Sequence, residues 1–453
     1  MEIARLALEW SVVLAVLYQL WRVPRLWAFL YLFIVIFPKV ALAEVPGQTT
    51  PIRVDDIVMA VVLGGWVLVQ LLGRPRPAPP SPVTGFFLLY AIVATVTSLL
   101  GIASGTTTVP SFGLHMMRRV EYALLYYFFF RSIGTDELDD VVGVVRFSLL
   151  IIVSIWIVQI WTVAPGIGLY VDWSNPMPSF SASYDFGGYL MLATLLLYAL
   201  WSTGANRSVG TALGLAGGVC LLLFAADSRS SMVGLAFAIV LDLFLRLKWQ
   251  IVVAMVAAGA SAPFLVNTEK MERTLNIITA VFTSLDVDAA QNAFVNDPSI
   301  RMRLRNWTLA IDRWSEHPFA GEGLGSYLTY TEQYNQPGTP DGWYVRVLAE
   351  SGLLGLLAFM LLVGALLWAL FRAYVQETRL LPRAIVYGAA LGVIAMLVNA
   401  FLIDSFVSYK IMGVFWMIVG VGTRVAVEGR APSAVPDSAG GAVGSPSPDP
   451  TPA

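Results

Sequence analysis

Charge is what this chain has least of. Of its 453 residues, 13% are Asp, Glu, Lys or Arg, against roughly 25% in soluble domains, so an ordinary water-facing surface cannot be built from it. Cys220 is the only cysteine, which excludes an intramolecular disulfide and a cysteine metal site. The histidines are two, His115 and His317, too few for a histidine-based metal centre, and neither a metal nor a cofactor is expected. A formal net charge of -2 provides no basic field for nucleic acid. No cleavable leader pattern follows Met1, so the first hydrophobic helices are expected to anchor insertion. No internal repeat points to the inverted halves common in secondary transporters.

What is present is hydrophobic sequence, 57% of the chain, with a mean hydropathy of +0.72. Runs near the roughly 20 residues that cross a bilayer fall at 6–21, 26–43, 55–72, 84–104, 112–131, 141–163, 185–202, 208–225, 230–246, 249–266, 344–371, 382–403 and 406–424. The chain is therefore expected to be an all-α polytopic membrane protein with 12–13 transmembrane helices. The lower number applies if the first run, short and carrying Glu9, does not cross. Backbone polar groups in lipid must be satisfied within the segment, which makes these runs helices. Every second connector is basic: Arg22 and Arg25, Arg74 and Arg76, Arg131, Arg207, Arg246 and Lys248, Arg372, Arg379 and Arg383, then Arg424 and Arg430. Positive connectors face the cytoplasm, which places the intervening ones outside and the C-terminus inside.

One long polar interval, 267–341, interrupts this pattern and is expected on the outer side; loops of that length tend to carry function. The expected organisation is a transmembrane domain over 1–430, with 267–342 as a large extracytoplasmic loop, and a disordered cytoplasmic tail over 431–453, rich in Ala, Pro, Ser and Gly.

Ionisable groups at membrane depth are costly and are candidates for function. They gather toward one face: His115, Arg118, Arg119 and Glu121 in the fifth run; Asp185 opening the seventh; Asp227 and Arg229 in ADSRSSMVG; Arg301, Arg303 and Arg305 in RMRLRNW; Asp341 and Glu350 where the loop returns to the membrane; Asp404 and Lys410 around the last outer turn. Arg118, Arg119 and Glu121 read equally as a packing ion pair or as ligand contacts. Arg229, before helix-opening serines, reads as an anion contact or as part of a cap. Arg301, Arg303 and Arg305 would spread around a helix but share one face of an extended segment. His317 and the GEGLGS that follows it read as a tight turn letting backbone approach another element. Tyr327, Tyr330, Tyr334, Trp343 and Tyr344 are either interfacial anchors or a platform for sugar rings. Arginines suit a diphosphate, which they hold bidentately and stabilise as a leaving group, and a carboxylate can take a proton from an attacking hydroxyl.

In order along the chain, SASYDFGGYL with Asp185, SRSSMVG around Arg229, RxxxW from Arg303 to Trp307, HPxxGxGxGS from His317, LAESGLLG with Glu350, and IDSFVSYKIMGVFWMIVG with Asp404 and Lys410 resemble the O-antigen ligase and polymerase superfamily of bacterial envelope glycosyltransferases. The resemblance spans nearly all of 26–424 and implies a GT-C-like helical fold with its site under the large outer loop. It implies metal-independent, inverting transfer from an undecaprenyl-diphosphate-linked glycan donor to a glycan acceptor. Arg229 and Arg303 would bind the diphosphate, joined by Arg301, Arg305, Arg118 and Arg119. Asp185, Tyr327, Trp343 and Tyr344 would contact the acceptor and its sugars, and Asp341 and Glu350 would be catalytic.

Ligases of this family carry His-Asn nine residues before the glutamate; here the pair is Asp341-Gly342. That departure shifts the expectation from ligation to a lipid acceptor toward polymerisation of exopolysaccharide or O-antigen repeat units in a bacterial inner membrane. The lipid bilayer, a flippase and a chain-length regulator would be its partners, and no nucleic acid. A transporter or flippase of lipid-linked glycans is the alternative from another class, and it requires charges along a path through the bilayer, not at one face. A non-catalytic scaffold leaves the arginines unexplained.

Overall fold

The computed structural model describes residues 2–37, 41–43, 52–73, 79–163, 183–224, 226, 228–246, 298–327 and 342–429. Its helices are α1 (Glu2–Arg22), α2 (Leu26–Ile36), α3 (Val54–Leu72), α4 (Thr84–Ser104), α5 (Val109–Ser132), α6 (Leu138–Val163), α7 (Ser183–Thr203), α8 (Val209–Phe224), α9 (Arg229–Leu245), α10 (Pro298–Glu316), α11 (Trp343–Gln376), α12 (Leu380–Leu402) and α13 (Tyr409–Glu428). Every apolar run is occupied by a helix except 249–266, which lies outside the described residues. Seven described helices are long and apolar enough to cross a membrane, and the protein is an all-α, multi-pass membrane protein.

The run at 26–43 departs from a simple span. Here α2 ends at Ile36, and β1 (Ala41–Ala43) pairs antiparallel with β2 (Ile52–Arg53). The 11 residues of α2 rise about 16 Å, half of a hydrocarbon layer of about 30 Å. Its end is fixed by the buried Lys410, whose Nζ donates to the carbonyl of Phe37.

Burial ranks the helices. The apolar windows of α13 and α7 are 83% and 78% buried inside the protein, and those of α3 and α4 only 17% and 22%, so α13 and α7 form the centre and α3 and α4 present their sides to lipid. Lipid tails are as apolar as leucine, so close packing has to hold helices together, and small residues permit it. A Cβ on Gly420 would come within 3.1 Å of the Tyr126 carbonyl oxygen, one on Gly413 within 2.8 Å of Ile34, and one on Gly388 within 2.9 Å of Leu196. Glycine at these positions brings α5, α2 and α7 against α13 and α12.

One end of the bundle gathers the α4–α5 turn, α10 with the loop after it, the start of α11 and the α12–α13 turn. At this site end α11 is broken: Gly352 has φ 62 and ψ -164 inside an otherwise helical stretch. The HPFAGEGLGS segment enters that break.

Candidate functional site

The break in α11 leaves backbone groups that the loop satisfies. Leu353 N donates to the Pro318 carbonyl at 2.9 Å and Leu354 N to that of Phe319 at 3.2 Å, while Glu322 N and Gly323 N donate to Ala349 and Glu350 carbonyls at 2.9 and 2.8 Å. Irregular backbone at membrane depth requires such pairing. On its other side the loop meets α4 and α5: Thr106 Oγ1 donates to the Glu322 carbonyl at 2.6 Å, Thr107 Oγ1 to that of Leu324 at 2.8 Å, and Leu324 N donates to Ser98 Oγ at 3.0 Å. Gly325, at φ 79, lies so close to α5 that a Cβ there would be 2.1 Å from Ser111 Oγ and 2.5 Å from the His115 ring. The tight turn read from GEGLGS is therefore a wedge locking α4, α5 and α11 together.

Beneath the wedge lies a buried charged cluster. Arg346 and Glu350 are one helical turn apart on α11, which puts both on one face. Arg346 is 2% exposed, and all three of its guanidinium nitrogens are engaged: Nε donates to Glu350 Oε1 at 3.0 Å, Nη1 to Asp404 Oδ2, and Nη2 faces His115 Nδ1 at 3.5 Å. The second oxygen of Glu350 faces Arg119 Nη2 at 3.7 Å, beyond hydrogen-bond distance. Arg119 lies 5.7 Å from the Trp343 ring and 5.8 Å from that of Tyr90, within cation–π range.

The cluster carries unmet hydrogen-bonding capacity. Among the described residues, Glu350 Oε2, Asp404 Oδ1, Trp343 Nε1, Ser405 Oγ and both amide atoms of Asn399 are buried without a hydrogen-bond partner. Buried polar groups are normally paired with protein or water, so these atoms hold hydrogen-bonding capacity that the described side chains do not use. Beside it, a cavity of about 370 Å³ runs between α4, α5, α11 and α13, walled by Phe87, Phe359, Phe406, Phe415 and Trp416 and reaching Arg119 and Trp343. Arg119 thus stands where a polar cluster meets an apolar channel.

The other candidate residues are dispersed around this centre. Arg118 is half-buried on α5. Arg229 is the first residue of α9 and is exposed, beside the paired hydroxyls of Ser228 and Ser231 at 2.9 Å. The 301–305 segment is helical, so its arginines spread around α10: Arg303 is half-buried, Arg305 is exposed, and the Arg301 side chain lies outside the described residues. Asp185 is fully buried and accepts a hydrogen bond from Ser408, tying α7 to the start of α13. Asp341, Tyr330 and Tyr334 lie outside the described residues.

The aromatic side chains are packed within the protein. Tyr327 is 2% exposed and donates to the Asn306 carbonyl at 2.8 Å. Trp343 packs against Phe359 and Phe406 with ring centres 5.7 and 5.6 Å apart. Tyr344 donates to the Leu397 carbonyl at 2.8 Å. Tyr327 and Trp343 are buried and Tyr344 half-buried, and their positions fix α10, α11 and α12 around the cluster.

Sequence reasoning singled out His115, Arg119, Glu350 and Asp404 but not their arrangement, and it missed Arg346. The available signal was a charged pair, Arg346 and Glu350, at i and i+4 on an apolar helix. For metals, Glu316, His317 and Glu322 bring one ligand atom each within 4.8 Å of one another. Arg313 already supplies the cation there, 3.2 Å from Glu322 and 3.7 Å from Glu316. Burial raises the Glu322 carboxyl above its usual range, and Arg313 pulls it back.

Residues 212–360 match the family model described as O-antigen ligase. The matched region contains Arg229, Arg303, the wedge, Arg346 and Glu350; Arg119, Asp185 and Asp404 lie outside it. No curated protein matches the chain.

Proposed function

We propose, because residues 212–360 match the family model described as O-antigen ligase, that the protein transfers a glycan from an undecaprenyl-diphosphate-linked oligosaccharide to a sugar hydroxyl, with inversion. It thereby polymerises exopolysaccharide or O-antigen repeat units at the outer face of a bacterial inner membrane. The observation that carries this reading is the place of Arg119, between a buried polar cluster and an apolar channel. A diphosphate on a long hydrocarbon chain finds matching surroundings for each half there.

In this reading Arg119, with Arg229, Arg303 and the neighbouring Arg118, Arg301 and Arg305, neutralises the diphosphate. Their charge stabilises it as it leaves the anomeric carbon. The acceptor hydroxyl attacks from the opposite side and gives its proton to Asp341. Glu350 lies between two guanidiniums, 3.0 Å from that of Arg346 and 3.7 Å from that of Arg119. The family description, O-antigen ligase, favours a second reading in which the acceptor is a lipid-borne glycan; Asp341-Gly342 in place of His-Asn supports the polymerase.

In a host lacking the native gene, Arg229→Ala and Arg303→Ala are each expected to collapse polymer length while protein levels persist, and Asp341→Asn to abolish turnover. Unchanged polymer in both arginine variants would remove the diphosphate assignment. Near-normal turnover in Asp341→Asn would remove the base.

A further inference from the structure

We propose that Arg346 is a positioning residue that keeps Arg119 available to the donor's phosphate by occupying the carboxylates that would otherwise capture it. The inference rests on the lipid-linked diphosphate reading and deepens it. The two arginines share Glu350 unequally. Arg346 holds one oxygen at 3.0 Å and spends its other nitrogens on Asp404 and His115, from a position 2% exposed. Arg119 holds the other oxygen only at 3.7 Å, makes a long 3.4 Å contact with the Tyr90 hydroxyl, and borders the apolar channel.

The charges explain the division of labour. Glu350 and Asp404 together carry two negative charges, and Arg346 contacts both. A bidentate guanidinium–carboxylate pair is the strongest arrangement available to either partner. Without Arg346, Glu350 in a low-dielectric site draws in the next guanidinium, which is that of Arg119. Arg119 would then be a counter-ion, not a phosphate ligand. Glu350 is fully buried, so it has no solvent to turn to.

The test is binding of undecaprenyl diphosphate to the purified full-length protein in nanodiscs, alongside the KM for a lipid-linked donor. Arg346→Gln is expected to weaken binding roughly tenfold, the loss of about one charge-assisted contact, and to raise KM more than it lowers kcat. Adding Glu350→Gln to that variant is expected to restore most of the affinity, because the capturing carboxylate is gone. Glu350→Gln alone is expected to bind at least as tightly as the parent, and it serves if Arg346→Gln fails to fold. Parent-like affinity in Arg346→Gln, no recovery in the double variant, or weaker binding in Glu350→Gln would each overturn the proposal. Absence of binding by the parent protein would instead overturn the donor reading, and this inference with it.

Discussion

Gly352→Ala is expected to lower stability by about 3 kcal/mol or more, the range for side chains forced into glycine-only backbone and against packed atoms. Gly352 sits at φ 62 and ψ -164, where an L side chain is strained whatever the space. The space is absent too: a Cβ there would lie 2.3 Å from the Phe319 carbonyl oxygen. Relieving that clash moves Phe319 away and breaks the bonds from Leu353 and Leu354 to the loop, 2.9 and 3.2 Å long. Four backbone groups then lose partners inside the protein. The wedge also seats Gly325 against His115, so the charged cluster should loosen and transfer activity should fall with stability. Gly364→Ala on the same helix, where a Cβ meets nothing within 4 Å, is the matched control and should be neutral. Thermal unfolding in detergent reads the difference; equal melting of the two variants would mean that the wedge does not hold α11.

Arg119→Ala has the other large expected effect, on chemistry and not on folding. Glu350 keeps its 3.0 Å bond to Arg346, so no buried carboxylate is orphaned and the protein should purify as the parent does. Turnover should fall about a hundredfold or more, as when a preorganised donor to developing negative charge is removed. Arg119→Lys should recover only part of this, because an ammonium cannot reproduce the planar two-pronged contact with phosphate. Initial rates with a defined lipid-linked donor decide the matter. A variant that is folded and turns over at the parent rate would show that Arg119 is a packing cation only.

The helical membrane class was legible because hydrocarbon imposes it: apolar runs of about 20 residues have few other destinations. The run at 26–43 was less so, since hydropathy does not register that α2 stops at Ile36, where Lys410 reaches the next carbonyl, that of Phe37, from 373 residues away. The glycines of GEGLGS announced close backbone approach, and they provide it. What they approach, the break at Gly352, could not be read from either segment alone. The arginines at 301–305 left helix and strand open because one short segment carries no tertiary context, and the structure makes it helix. For Tyr327, Trp343 and Tyr344 the sequence left interfacial anchor and sugar platform open; each is packed and, for the tyrosines, hydrogen-bonded to backbone. Arg346 escaped notice because its meaning lies in contacts 4, 58 and 231 positions distant, of which only the first is visible as a helical spacing.

Glycosyl transfer from a lipid diphosphate is tested directly by one measurement. Purified protein in nanodiscs is given a defined undecaprenyl-diphosphate-linked repeat unit, and both the glycan products and the released lipid diphosphate are quantified. The expected result is a ladder of polymer with one undecaprenyl diphosphate released per bond formed, diminished in Arg119→Ala. Folded protein that yields neither polymer nor ligated product, or that moves the intact substrate across the bilayer without chain growth, would contradict it.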